Sequence, residues 1–222
     1  MLPLGGTARS AQGARMNQLP LDATGLFAIA AALGWASGLR LYAVVFMTGL
    51  AGGLGWVELP AGLKVLQSPL LLGASGVMLI VEFFADKIPG IDTLWDMIHT
   101  LVRIPAGAAL AAAVFGADQS SWVLAAALMG GTLAATAHVA KATTRAAVNA
   151  SPEPFSNLAL SLLGDGVVPA SLWLSWTHPQ VFFAALALAL VVMVATTWVL
   201  ARFLRRLARR VSGWFGAGQP SA

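Results

Sequence analysis

VEFFADKIPGIDTLWDMIH, residues 81–99, separates two apolar stretches and holds Glu82, Asp86, Asp92 and Asp96, four of the nine acidic residues in the chain. Glu82 and Asp86 are four apart, as are Asp92 and Asp96, and His99 and Arg103 continue the second set. On helices each set lines one face. Pro89-Gly90 breaks the chain between the sets, and Asp92 is suited to cap the helix that follows. The spacing predicts a helical hairpin with carboxylates on both arms.

What surrounds the hairpin sets its environment. The chain has 222 residues, of which 58% are hydrophobic and only 10% charged, and its mean hydropathy is +0.79. A soluble domain carries about a quarter charged residues, and one this poor in charge would expose apolar patches that monomers avoid. The composition therefore predicts an all-α integral membrane protein. With no cysteine, disulfides, thiolate chemistry and thiolate-held metals are excluded. The net charge of +4 does not indicate nucleic acid, because five of the thirteen basic residues are Arg202, Arg205, Arg206, Arg209 and Arg210. A basic tail directly after an apolar run suits the anionic inner leaflet.

Apolar stretches run over 23–56, 69–84, 94–115, 122–140, 158–176 and 181–201. A crossing helix needs about 20 apolar residues, so about six transmembrane helices are expected. The first stretch is too long for one straight span and is interrupted by Gly34, Ser37, Gly38 and Arg40; it is either a broken helix or a span followed by a partly re-entrant piece. With six spans, both ends and the second and fourth loops share a face. That face collects Arg9, Arg15, Lys87, Lys141, Arg145 and the basic tail, against Lys64 alone opposite. By the positive-inside bias both termini are expected on the cytoplasmic side.

Residues 1–20 lack a continuous apolar run and read as a disordered lead-in rather than a signal peptide; Met16 is an alternative start. Residues 21–201 form the membrane domain, and 202–222 a basic tail. In that tail Phe203, Leu207, Val211 and Trp214 recur at helical spacing opposite Arg205, Arg206, Arg209 and Arg210, which predicts an amphipathic helix on the inner leaflet. The halves 21–117 and 118–201 share a faint punctuation: Ser68-Pro69 and later Asp86 with Pro89, then Ser151-Pro152 and later Asp165 with Pro169. Three spans per half would make the halves an inverted pair.

Several residues can carry chemistry. Asp165 falls near the middle of its span between Gly164 and Gly166, where an acid costs about 2.5–3.5 kcal/mol on insertion scales and defaults to a functional hypothesis. The glycines and Pro169 suggest locally unwound helix. Its structural alternative is an ion pair with Arg40, Lys141 or Arg145. Arg40 is the basic counterpart, for which pairing with an acid is expected. Lys141, Arg145 and Asn149, four apart, form a polar stripe able to face phosphate or the hairpin. At the hairpin 82–96, like charges at helical spacing repel, and a divalent cation on oxygen ligands would relieve them; the alternative is that Asp92 caps, Asp86 pairs with Lys87, and Asp96 pairs with His99 or Arg103. His138 and His178 have no partner at ligand spacing.

The segments ASGLRLYAVVFMTGLAG (36–52), VEFFADKIPGIDTLWDMIHTLVRIPAGA (81–108) and KATTRAAVNASPEPFSN (141–157) together resemble a bacterial integral-membrane family catalogued as domain of unknown function 4126, over about residues 22–200. The resemblance implies a membrane location and assigns no catalytic residue. A fainter likeness connects Glu82 and Asp86-Lys87 with the repeated acidic motif of cation exchangers, but the spacing is one residue too long.

Three functions compete. A small transporter or permeation pathway for an ion or small solute would be lined by Glu82, Asp86 and Asp165, with Arg40 as charge partner. A metal-dependent membrane enzyme acting on a phosphate-bearing lipid would hold Mg²⁺ on Asp86, Asp92 and Asp96 and phosphate on Lys141 and Arg145. A non-catalytic assembly protein would have every charge structural. The first needs no cofactor. The partners expected are the bilayer with its anionic inner leaflet; a homo-oligomer is left open.

Overall fold

The computed structural model of the chain describes residues 22–88, 90–116, 120–150 and 155–216. Expectations for the lead-in 1–20, Pro89, the loop 151–154 and the end of the tail lie outside the described residues. The fold is helical: α1 (Ala23–Gly53), a 3₁₀ helix (Ala61–Gln67), α2 (Pro69–Ala85), α3 (Ile91–Ala113), α4 (Ser120–Asn149), α5 (Phe155–Thr177) and α6 (Pro179–Gly216). Asp22 accepts the Gly25 N–H at 2.7 Å and caps α1. Ser68 caps α2 ahead of Pro69, whose missing N–H costs nothing in a first turn.

α1 is the core of the bundle. In its most apolar window 83% of residues are buried, against 6% in that of α6. Its neighbours reach it through small residues. A Cβ on Gly34 would lie 2.5 Å from the Gly130 Cα, and one on Gly107 would lie 2.7 Å from the Ala134 Cβ and 3.1 Å from the Gly34 carbonyl. α1, α3 and α4 therefore pack backbone against backbone, as helices do in lipid where small residues permit it. The outward surface is apolar, with Leu70, Leu101, Val191 and many like them exposed.

The long first stretch breaks at one residue. Arg40 leaves the helical region with φ −148° and ψ 86°. Asp22 and Thr24 share a cleft with His178–Val181, and Met47, Ala51 and Trp56 share one with Trp173, Trp176 and Thr177. Both ends of α1 thus lie at the C-terminal end of α5, while Arg40 between them bonds to Ser161 in the N-terminal half of α5. α1 enters from one face, runs about 27 Å at 1.5 Å per residue, and turns back at Arg40. Of the two readings offered by the sequence, the broken helix holds, and the break returns the chain to the end from which it came.

By length and composition four helices, α1 among them, are long and apolar enough to cross a membrane, or five if the 3₁₀ helix and α2, bent by 69°, are taken as one. The expected six are not found. α3 falls outside the count because Asp92, Asp96, His99 and Arg103 make up the polar half of its buried stripe. Asp22, where the described residues begin, sits beside His178, whereas Phe203 of α6 shares a groove with Val148 and Ser156 at the other end of the bundle.

The halves are not alike either. Asp86 ends α2 as its C-cap, whereas Asp165 lies inside α5, which stays helical through Gly164, Gly166 and Pro169. The unwinding expected at Asp165 occurs instead at Arg40. The basic tail begins without a separate helix, since α6 is continuous from Pro179 to Gly216.

A balanced charge network as the candidate functional site

The buried face of α3 is Asp92, Asp96, His99, Arg103, Gly107 and Ala111, which is the stripe predicted from the hairpin. α2 delivers Glu82 and Asp86, α4 delivers Lys141, Arg145 and Asn149, α5 delivers Asp165, and the break in α1 delivers Arg40. The hairpin and the α4 stripe meet.

Asp86, fully buried, is the hub. Its Oδ2 receives Arg40 at 3.1 Å, Lys141 at 3.1 Å and Arg145 at 3.2 Å. Arg145 also donates to the Asp86 carbonyl at 3.1 Å. Arg103, fully buried, bridges Glu82 at 2.6 Å and Asp96 at 2.5 Å. Asp96 further receives Lys141 at 3.2 Å, and Asp92 receives Arg145 at 3.3 Å and Asn149 at 3.0 Å. Asp165 receives Arg40 at 3.0 Å and Lys87 at 3.2 Å. Five carboxylates thus face Arg40, Lys87, Arg103, Lys141 and Arg145, and the formal charges cancel. Neutrality is what lets the set stay inside, because an uncompensated charge held out of water costs several kcal/mol.

The break in α1 is part of this network. A residue out of helical geometry frees carbonyls from the i→i−4 ladder, and the Leu39 carbonyl accepts from Lys141 Nζ at 3.0 Å. Arg40 itself reaches the Ser161 carbonyl at 3.1 Å and hydroxyl at 3.0 Å. Gly164 lies against this guanidinium: a Cβ there would make ordinary van der Waals contact with Arg40 Nε at 3.5 Å.

Partner choice differs from the local expectation at several points. Lys87 pairs with Asp165 rather than Asp86, and its ammonium also rests 3.0 Å from the centroid of the Phe83 ring. Of the two partners expected for Asp96, it takes Arg103. His99 stacks on Trp95, and its Nε2 lies 3.1 Å from the Tyr42 hydroxyl. Asp92 is not the N-cap of α3, which is Gly90 at φ 89°; its Oδ1 accepts the Gly90 N–H at 2.9 Å from within the first turn. Of the two arrangements offered for these carboxylates, they are seen meeting guanidinium and ammonium groups. Among the described residues no group of three or more His, Asp or Glu is disposed to hold a metal ion.

His138, given no role from spacing to other histidines, lies 2.7 Å from the Thr100 hydroxyl and 3.4 Å from Arg103 Nη1. The signal that finds it is its spacing of three from Lys141, continuing the stripe through Arg145 and Asn149. The same argument finds Ser161 and Asn157, each four residues before the next polar position on the way to Asp165.

Two cavities flank the seam between α1 and α5. One, of about 170 Å³, has Arg40, Asp86, Lys141 and Arg145 on one side and Leu160, Leu163, Val167 and Met193 on the other. The second, of about 430 Å³, lies at the opposite end among Trp56, Trp173, Trp176 and Thr48. Between them along the two helices are Val44 and Val168, both fully buried. Of the three acids expected to line a path only Asp86 lines one of them; Asp165 meets Asp86 through Arg40, and Glu82 is held by Arg103.

No curated protein and no solved structure matches this chain. The family described as Domain of unknown function (DUF4126) matches residues 27–200, a range that contains every member of the charge network, and the chain belongs to that family.

Proposed function

We propose that this multi-pass protein is a small transporter of the bacterial inner membrane, with Arg40 at the centre of its path. The observation that carries the reading is the pair of cavities on the α1–α5 seam. They lie toward opposite ends of the bundle, and Arg40, at the break in α1, lines one of them. Transporters bind substrate where a helix is interrupted inside the membrane, because unwound backbone and buried charge are tolerated there only beside a cavity. Asp165 shares the Arg40 guanidinium with Asp86 and is the more exposed of the two, at 24%. It is therefore the group that can release Arg40 when the path rearranges.

In this reading the end of the bundle with Lys87, Arg145 and Arg202 faces the cytoplasm and its anionic leaflet. The start of α1 then faces the opposite side, so the ends of the described chain are on different sides. The test is flux: proteoliposomes containing the chain should move a small ion or solute, and Asp165→Asn should abolish that movement. Unchanged flux in the variant removes Asp165 from the mechanism.

The enzyme reading keeps one supporting observation, the contact between the hairpin and the Lys141–Arg145 stripe. Its metal-binding step would require Asp86, Asp92 and Asp96 to leave the cations they now hold. Mg²⁺-dependent turnover of a phosphate-bearing lipid would favour it over transport.

A further inference from the structure

Two buried histidines touch the network, and their neighbours fix where each carries its proton. A guanidinium N–H can only donate, so His138 Nδ1, 3.4 Å from Arg103 Nη1, must present a lone pair. The Thr100 hydroxyl gives its hydrogen to the Asp96 carbonyl at 2.9 Å, so at 2.7 Å it accepts from His138 Nε2. The ring is therefore neutral, with its proton on Nε2, and both nitrogens are engaged. A second proton has one place to go, Nδ1, and there it would point at the Arg103 guanidinium.

His99 makes the contrast. Its Nδ1 lies 2.8 Å from the Trp95 carbonyl, which only accepts, so Nδ1 carries the proton. Its Nε2 faces the Tyr42 hydroxyl at 3.1 Å, a group that both donates and accepts. His99 keeps both bonds whether neutral or charged, because the hydroxyl can turn round. Of the two rings, only His138 must break a contact of the network to take a proton.

The groups facing His138 come from three helices. α3 presents Asp96 and Arg103, α4 presents Lys141 one turn on, and α1 presents the Gly38 backbone. Asp96 is the anion among them. Its Oδ1 receives Arg103 and Lys141, while its Oδ2 accepts no hydrogen bond. Asp96 is thus the carboxylate that would hold the imidazolium once Arg103 withdrew. Lys141 lines the 170 Å³ cavity, so the ring lies one helical turn from that space.

We infer that His138 is a proton-binding site, and that its second proton and the Arg103 contact exclude each other. Two states follow: Arg103 on Nδ1 with the ring neutral, and Arg103 withdrawn with the ring charged by a proton taken from water. Proton activity then biases the network, because a ligand shifts an equilibrium toward the state that binds it. This names H⁺ as the coupling ion of the transport reading and rests on that reading for its functional meaning; the linkage itself is measurable without flux.

The experiment uses the full chain in nanodiscs with ¹⁵N-labelled histidine and arginine, titrated by NMR from about pH 8 to about pH 5, the range in which histidine changes charge. At the upper end the His138 ring should show one protonated nitrogen. On acidification it should gain the second, and the Arg103 signal should shift with the same midpoint. In His138→Gln the amide keeps a donor for Thr100 and an acceptor for Arg103 but takes no proton. There the Arg103 shift should be lost while His99 still titrates. A His138 ring that stays singly protonated to about pH 5, an Arg103 signal that ignores the ring in wild type, or the same Arg103 shift in His138→Gln would each overturn the inference. Should the variant not fold, the two wild-type midpoints decide it. Linked titration in a protein that moves no solute would sink the transport reading and leave the site standing. Flux whose pH dependence is unchanged in His138→Gln would leave that reading and remove His138 from it.

Discussion

Arg40 Nη2 and Asp86 Oδ2 lie 3.1 Å apart, joining the one non-helical residue of α1 to the residue that ends α2. Neither position is stable alone. A broken helix inside a bundle leaves carbonyls to be satisfied, and a buried carboxylate needs cations. Each supplies part of what the other lacks, and Lys141 completes both by bonding to Asp86 and to the Leu39 carbonyl.

Arg103 should be the most sensitive member of the network to truncation. Arg103→Met leaves Glu82 and Asp96 buried with one cation fewer, and breaking a buried pair costs roughly 3–5 kcal/mol. Thermal unfolding of the purified variant should show a large drop in midpoint. Adding Glu82→Gln to Arg103→Met, which returns the set to neutrality, should restore much of it; no recovery would mean that Arg103 acts through packing rather than charge.

Asp165→Asn should separate function from folding. Arg40 keeps Asp86 and Ser161, and Asp165 is partly exposed, so the midpoint should move little while flux is lost. A variant that unfolds would place Asp165 in the structural core of the network.

Close helix approach predicts a contrast between two glycines. Gly34→Leu inserts a side chain against the Gly130 backbone and should destabilise by at least about 1–3 kcal/mol. Gly166→Ala meets nothing within 4 Å and should stabilise α5 by about 0.5–1 kcal/mol. Chemical denaturation in detergent reads both.

The re-entrant path of α1 is testable because the chain lacks cysteine. Single replacements Thr24→Cys, Trp56→Cys and Gln180→Cys should react with an impermeant maleimide from the same side of a sealed vesicle. Arg206→Cys should react only from the other. Labelling of Thr24→Cys and Trp56→Cys from opposite sides would refute the turn at Arg40.

The amino-acid sequence by itself determined the environment and the faces. Low charge and long apolar stretches require a membrane, and four-residue spacing puts Asp92, Asp96 and Arg103 on one side of α3 and Lys141, Arg145 and Asn149 on one side of α4. These are local consequences of helix geometry, which is why they hold. Tertiary structure alone decided which faces meet. Lys87 lies beside Asp86 in the chain yet pairs with Asp165, and Arg40 finds Asp86 and Ser161, because helix packing brings together groups that no periodicity relates. It also decided that α1 turns back instead of crossing, since the break at Arg40 is stabilised by Asp86, Lys141 and Ser161 from three other helices, and nothing within 23–56 records their approach.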